Sequence, residues 1–321
     1  MPEPTIGPQL HFSGIRQIAI DFCFLSALVV FLTSKVSANV GEGGLAGWKM
    51  AYHANCWGPL GGDAVGVTSI GRLAYRTFGD MDRAAREIAA AGYKGIEFFD
   101  GNVLDGGADD FASLRRTLAE TGLALVAVYS GGNFIFADVL EEELARIGKA
   151  ADAAQALGAE HLVVGGGARR LSGARSGDYD ALAAALDKVV AIAEARGLKA
   201  QYHPHLSTIV ETPAEVARIF EKTAIGFCPD TAHLAAAGGD PAALVTGHAA
   251  RITYVHLKGW RRDPFAFVPV GEGDCDNGAV IRALKAIGYD GWICNELDAW
   301  PDPAAGARDS LRFVEAEAAK A

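Results

Sequence analysis

Four short stretches decide the fold: QYHPH at 201–205, FCPDTAH at 227–233, YVHLKG at 254–259 and CNELD at 294–298. Each lies where a short run of strand length closes on residues able to do chemistry. The segments between them, Pro213–Lys222, Pro241–His248 and Ala279–Ile287, have helical spacing. Thr212-Pro213 and Asp240-Pro241 each supply an N-cap residue followed by proline at the first helical position. Strand and helix therefore alternate through this half of the chain.

The same alternation extends towards the N-terminus. Strand-like runs occur at Met50–Ala54, Gly95–Phe99, Ala124–Tyr129 and His161–Val164, ahead of Leu198–His203, Ile225–Cys228, Ile252–Leu257 and Trp292–Asn295. Helical patterns cover Met81–Ala91, Phe111–Glu120, Leu140–Leu157, Tyr179–Arg196 and, at the end, Ala304–Ala319. Several helices stop at a glycine just before the next strand, as in AAAGYKG, LAETGLAL, AQALGAE, AEARGLKA and LKAIGYDG. That is C-cap chemistry leading directly into a strand. Eight such units over about 270 residues predict a single (β/α)8 TIM barrel, which typically takes about 250.

An open doubly wound sheet also holds eight units, but the polar residues argue for closure. His53 ends the first strand, Glu97 lies in the second, Tyr129 and Ser130 end the third and Gly165-Gly166-Gly167 the fourth. His203 and His205 close the fifth, Asp230 follows the sixth, His256 and Lys258 end the seventh, and Glu296 and Asp298 the eighth. A closed barrel brings all these ends to one mouth, at the C-terminal ends of the strands.

The barrel is expected over 48–321, with an apolar extension over 1–47. Ile18–Leu32 reads IAIDFCFLSALVVFL, short of the roughly 20 residues that cross a bilayer. Arg16 ahead of it and Val36-Ser37-Ala38 behind it fit a signal peptide or anchor, whereas Asp21, Glu3 and the single basic residue favour a poorly structured extension or a true start at Met50. A cytoplasmic location is expected, with export or anchoring as the alternative if residues 16–38 act as a signal. Over the whole chain of 321 residues, 50% are hydrophobic and 21% charged, which excludes wholesale disorder. The net charge of −10 disfavours nucleic acid as a partner. Five scattered cysteines without a CxxC pair argue against a disulfide framework and against a zinc ribbon.

Imidazole, carboxylate, imidazole and carboxylate at four successive strand ends can close around one divalent cation. His203, Asp230, His256 and Glu296 are the expected ligands, Glu296 doubling as a catalytic candidate. A mixed nitrogen and oxygen set suits Mn²⁺ or Co²⁺, and also Mg²⁺, Fe²⁺ or Zn²⁺. Taken singly, a strand-end histidine is more often a satisfied polar group, and an aspartate before a helix an N-cap. Four at four consecutive strand ends are not independent accidents.

The chain from about 49 to 318 resembles the xylose-isomerase-like TIM barrel superfamily of sugar isomerases and epimerases, and within it the inosose (2-keto-myo-inositol) dehydratase branch. GYKGIEFFD, YHPHLSTIVETPAEV, FCPDTAHLAAAGGDP, ITYVHLKGW, VGEGDCD and GYDGWICNELD carry the resemblance. It implies one divalent metal held by Glu, Asp, His and Glu from the fifth to eighth strands, the last three falling on Asp230, His256 and Glu296. The fifth-strand position departs from that pattern, since His203 stands where the epimerases carry glutamate. This removes one of the two glutamates of the epimerase mechanism and turns the expectation towards a lyase.

The expected chemistry is cation-assisted removal of a proton beside a ketone, followed by loss of a β-hydroxyl from a keto-cyclitol or keto-sugar. The alternative is a ketose isomerase or 3-epimerase built on the same first step. Proton carriers are sought among His205, His233, Lys258 and Glu97; His233 could equally be a helix-start residue and Lys258 a solvated surface lysine. Substrate contacts are expected from His53, Trp57, Tyr129 and Trp260, with Phe134 and Trp300 also on mouth-side loops. Gly259–Asp276 is long enough for a lid, VGEGDCD reads as a turn-rich element, and Gly165–Gly167 with Arg169 and Arg170 reads as a strand end more than a phosphate cradle. The partner is a small polyol or keto-sugar, with no nucleic acid, no stable membrane partner, and self-association left open. A DNA-repair endonuclease on a related barrel would need more ligands and a basic groove.

Overall fold

Eight parallel strands close the barrel. The computed structural model describes residues 47–61, 75–104 and 107–320. The strands are β1 (Lys49–His53), β2 (Gly95–Phe99), β3 (Ala124–Gly132), β4 (His161–Gly166), β5 (Lys199–His203), β6 (Gly226–Phe227), β7 (Tyr254–Leu257) and β8 (Trp292–Asn295). Parallel ladders join every neighbouring pair from β7 through β8 and β1 round to β6. The last seam, between β6 and β7, is closed by the parallel bridges Phe227–Ile252 and Asp230–His256. β6 covers only the middle of its sequence run, Ile225–Cys228. The apolar stretch at 18–32 and the signal-like residues around it lie outside the described residues.

Strand alternation builds two cores. Residues facing outwards, such as Tyr52, Ile96, Val128, Leu162, Tyr202 and Val255, join the helices in the main core, while Ala51, Phe99, Tyr129, Val163, Cys228, Tyr254 and Cys294 fill the barrel interior. The helices present matching faces. On Ser176–Glu194, Leu182, Ala185, Leu186 and Val189 recur at helical spacing and are fully buried, each leucine contributing about 2 kcal/mol by removal from water.

The turns follow their chemistry. Helices end at Gly92, Gly122, Gly158, Gly197 and Gly288, all with positive φ, where a side chain would strain the backbone. Thr212 and Glu215 form a reciprocal capping box at Pro213–Phe220. Gly259–Asp276 is not an open lid. Gly259–Arg261 and Ala266–Val268 pair as an antiparallel hairpin, and Asp274 and Asp276 accept backbone N–H bonds from Arg262 and Ala279. A second small hairpin, Leu60–Gly61 with Arg76–Thr77, follows β1. Cys56, Cys228, Cys275 and Cys294 are free and buried. Among the described residues, no helix is long and apolar enough to cross a membrane.

Candidate metal centre and cavity

β5 to β8 bring His203, Asp230, His256 and Glu296 to one point. His203 Nε2, Asp230 Oδ2, His256 Nδ1 and Glu296 Oε2 are buried, and apart from charge contacts with one another and of Asp230 Oδ2 with Lys258 Nζ at 3.4 Å none has a hydrogen-bond partner. One ligand atom from each of the four residues fits within 4.8 Å of the others. His256 Nδ1 and Glu296 Oε2 approach to 2.6 Å. Buried polar atoms left without partners are costly, so four of them aimed at one another fit a cation that would satisfy all four. Asp230, His256 and Glu296 each commit their second polar atom elsewhere. Asp230 Oδ1 caps the short helix Thr231–Ala236, accepting from Ala232 N at 2.8 Å and His233 N at 3.0 Å. Its capping role and its place in the cluster thus use different oxygens.

Glu296 Oε1 is equally engaged, accepting from Asn55 Nδ2 at 3.0 Å and Lys258 Nζ at 2.9 Å. The same two donors reach Asp298 Oδ1 at 3.1 and 3.0 Å. Lys258 is fully buried rather than a surface residue. Burial opposes its charge, but Asp230, Asp298 and Glu296 outweigh that and hold its pKa well above the usual lysine range. It stands behind the carboxylates and does not line the cavity.

That cavity, of about 560 Å³, opens beside the cluster. Leu60, Tyr75, Phe99 and Tyr129 give it an apolar surface, and His203, His205, Glu296 and Asp298 a polar one. Asp100, just past β2, accepts from Ser130 Oγ at 2.7 Å, Arg146 Nε at 3.1 Å and Tyr75 N at 3.0 Å. This anchors Tyr75 against Phe99 and Tyr129. Gly165 is required here, because a Cβ would meet the Tyr129 hydroxyl at 1.8 Å.

His205 lines the cavity. Its Nδ1 lies 2.7 Å from the Leu206 carbonyl oxygen, which only accepts, so Nδ1 carries the proton and Nε2 keeps its lone pair. Burial, then His203, lower its pKa to about 4. His233 packs on it with ring centroids 3.7 Å apart, but its Nε2 faces Lys258 Nζ at 3.3 Å, and burial lowers its pKa as well.

The architecture agrees with a known family. A family model described as the xylose isomerase-like TIM barrel matches residues 85–317. The chain belongs to the xylose isomerase-like TIM barrel family. Relatives of this family member include an inosose dehydratase of Geobacillus kaustophilus (strain HTA426), 28% identical over 257 residues, covering 70% of this chain and 81% of that protein. The rhizopine catabolism protein MocC of Rhizobium meliloti is 28% identical over 256 residues, covering 70% and 76%. Among solved structures, an L-ribulose 3-epimerase superposes with a TM-score of 0.68 at 21% identity, covering 84% of this chain and 94% of that one. A probable 3-DHS dehydratase AsbF from Bacillus anthracis gives 0.65 at 11% identity, covering 83% and 98%.

Within this xylose isomerase-like barrel, several sequence expectations change place. Glu97, expected among the proton carriers, is wholly buried and accepts from Tyr254 OH at 2.6 Å and His256 Nε2 at 2.8 Å. Burial raises its pKa, but His256, His53 and the two hydrogen bonds outweigh it and bring the carboxyl to about 2. Trp57 is not a cavity wall: the 3-10 turn Ala54–Trp57 carries its indole onto Tyr52 and gives its Nε1–H to Glu87 at 2.7 Å. Trp260 is held by the 259–268 hairpin against Ala232 and Cys275. Phe134 is buried in the main core and Trp300 packs against it. His53 packs edge-on to Phe99 at 4.4 Å, 3.9 Å from Glu296, so of the expected substrate contacts only Tyr129 lines the cavity. Arg170 is paired with Asp178 and Arg169 with Glu211 and Glu215, which spends both on protein carboxylates rather than on a phosphate. Asn55 and Asp100 went unassigned in the sequence because each gains its role from residues far along the chain.

Proposed function

We propose that this chain is a divalent-metal-dependent lyase that dehydrates a keto-cyclitol or keto-sugar, in the manner of an inosose dehydratase. The observation that carries the reading is the convergence of four buried donor atoms, two carboxylate and two imidazole, on His203, Asp230, His256 and Glu296, at the edge of a cavity of sugar size. These four residues would hold the ion. A divalent cation there supplies Lewis-acid polarisation of a ketone oxygen and makes the neighbouring C–H acidic.

The chain's own residues supply the rest. His205 Nε2, unprotonated at neutral pH, takes the proton from the carbon beside the ketone. Asp298 lines the same cavity, and burial raises its pKa. The β-hydroxyl leaves as water with the proton that His205 took, while the carbon–carbon double bond forms. Lys258 and Asn55 hold Asp298 and Glu296 in register throughout. Tyr75, Phe99 and Tyr129 offer aromatic faces to the C–H side of the ring.

The second reading, a ketose isomerase or 3-epimerase, uses the same first step and returns the proton to carbon. The imidazole of His203 in place of a fifth-strand carboxylate favours the lyase. Chelator-treated protein should be inactive on 2-keto-myo-inositol and recover with Mn²⁺ or Co²⁺; full activity without metal would end the proposal. Followed in D₂O by NMR, loss of water with a new enone or diketone absorbance supports the lyase. Deuterium uptake without loss of water supports the epimerase instead.

A further inference from the structure

The polar interior of the barrel contains one carboxylate that the proposed reaction leaves unused. Glu97 sits in β2, beside a register shift against β3 between Ile96 and Glu97. It is fully buried and does not line the cavity. One oxygen, Oε2, accepts from both Tyr254 OH and His256 Nε2, two donors on the opposite side of the barrel, while Oε1 has no partner. A side chain so placed cannot exchange a proton with a substrate. It does determine the state of His256.

We propose that Glu97 is a positioning residue for the metal centre, fixing His256 in the tautomer and orientation that present Nδ1 to the cation. The proposal rests on reading the four-residue cluster as a metal site. A carboxylate only accepts, so the His256 nitrogen that faces it must carry the hydrogen. Nδ1, 2.6 Å from Glu296 Oε2 and within reach of the other ligand atoms, faces a carboxylate as well and would give up its hydrogen only to a cation, whereas Nε2 keeps its own on Glu97. Outer partners of this kind orient a ligating histidine and raise its basicity. A glutamine in the same place loses this selectivity. Its amide can rotate to donate to Nε2, which allows the tautomer with hydrogen on Nδ1, aimed at the cation. Tyr254 has a lesser part, holding Oε2 rather than His256.

The test compares Co²⁺ binding by the full-length wild type, Glu97→Gln and Tyr254→Phe, with thermal unfolding to verify the fold. Glu97→Gln should weaken Co²⁺ binding about 10- to 100-fold at unchanged stoichiometry and alter the visible d–d spectrum of bound Co²⁺. Tyr254→Phe should stay within about threefold of wild type, as an outer contact one bond further from the ligand. Wild-type affinity and spectrum in Glu97→Gln would overturn the proposal while leaving the metal site standing. No Co²⁺ binding by the wild type would remove the metal site and this proposal together. Should Glu97→Gln fail to fold, ¹⁵N-histidine NMR of wild-type protein loaded with Zn²⁺ decides the matter: His256 is expected protonated at Nε2 and ligated through Nδ1, and ligation through Nε2 overturns the proposal.

Discussion

β5 to β8 end in His203, Asp230, His256 and Glu296, whereas the ends of β1 to β4 carry His53, Phe99, Tyr129 and the glycines from 165 to 167. The two halves are built from the same repeating unit and differ in what they hand to the mouth. The second half offers four buried donor atoms that converge on one point. The first half offers aromatic surface and backbone, and Glu97 on β2 is turned across the barrel onto His256. A closed barrel lets one half gather charge because the other half lines the cavity and orients the ligands.

Asp230→Asn strikes the second half hardest. The amide oxygen keeps the helix cap at Ala232 and His233, but the carboxylate 3.4 Å from buried Lys258 Nζ is lost with the anionic donor, so stability should fall as well. Activity on 2-keto-myo-inositol should fall about 1000-fold, as expected for several kcal/mol of lost Lewis-acid stabilisation. Steady-state kinetics with metal analysis check this, and a variant of near-normal activity would break the division between the halves.

A first-half residue tests the barrel floor. His161, at the start of β4, is stacked on Tyr254 at 4.8 Å and buried, and burial lowers its pKa to about 4 from 6.5. The unfolded chain therefore binds a proton between pH 6.5 and 4 that the folded chain refuses. Stability from this residue is present above pH 6.5 and is lost as pH falls towards 4, by about 3 kcal/mol. His161→Phe should flatten that acid limb in urea melts at pH 4 to 7; an unchanged limb assigns it to other groups.

Phe99→Leu probes the cavity surface. It keeps an apolar side chain but removes the ring face, and should raise KM about tenfold with a smaller change in kcat, in line with the 1–3 kcal/mol carried by apolar pocket contacts. A pure kcat effect would instead move Phe99 into the chemistry. The smallest effect is expected from Thr212→Ala, which removes the capping box after β5. Loss of about 1 kcal/mol should lower Tm by a few degrees without altering activity, showing that the second half is sensitive at its strand ends and not along its helices.

The alternation of strands and helices was legible because each αβ turn carries its own local chemistry: a glycine at positive φ, or a cap such as Thr212 with Glu215. The four clustered donors were legible for a related reason, since each ends its own strand or follows it directly. Trp57 and Trp260 were misread because position after a strand does not say which way a turn carries a side chain. A 3-10 turn sends one onto Tyr52 and Glu87, and a hairpin sends the other onto Cys275.

Period-two apolar runs and their capped helices are local properties, so the sequence by itself determined the barrel and which residue types reach its mouth. The partners of those residues are not local. Glu97 meets His256 across 159 positions and Asn55 meets Glu296 across 241, and a buried carboxylate becomes a base, a ligand or an orienting group according to which donors closure of the barrel brings within 3 Å. Only the tertiary structure decided that Glu97 serves His256, that Lys258 stands behind the carboxylates, and that His205 alone among the proposed proton carriers from β5 to β7 looks into the cavity.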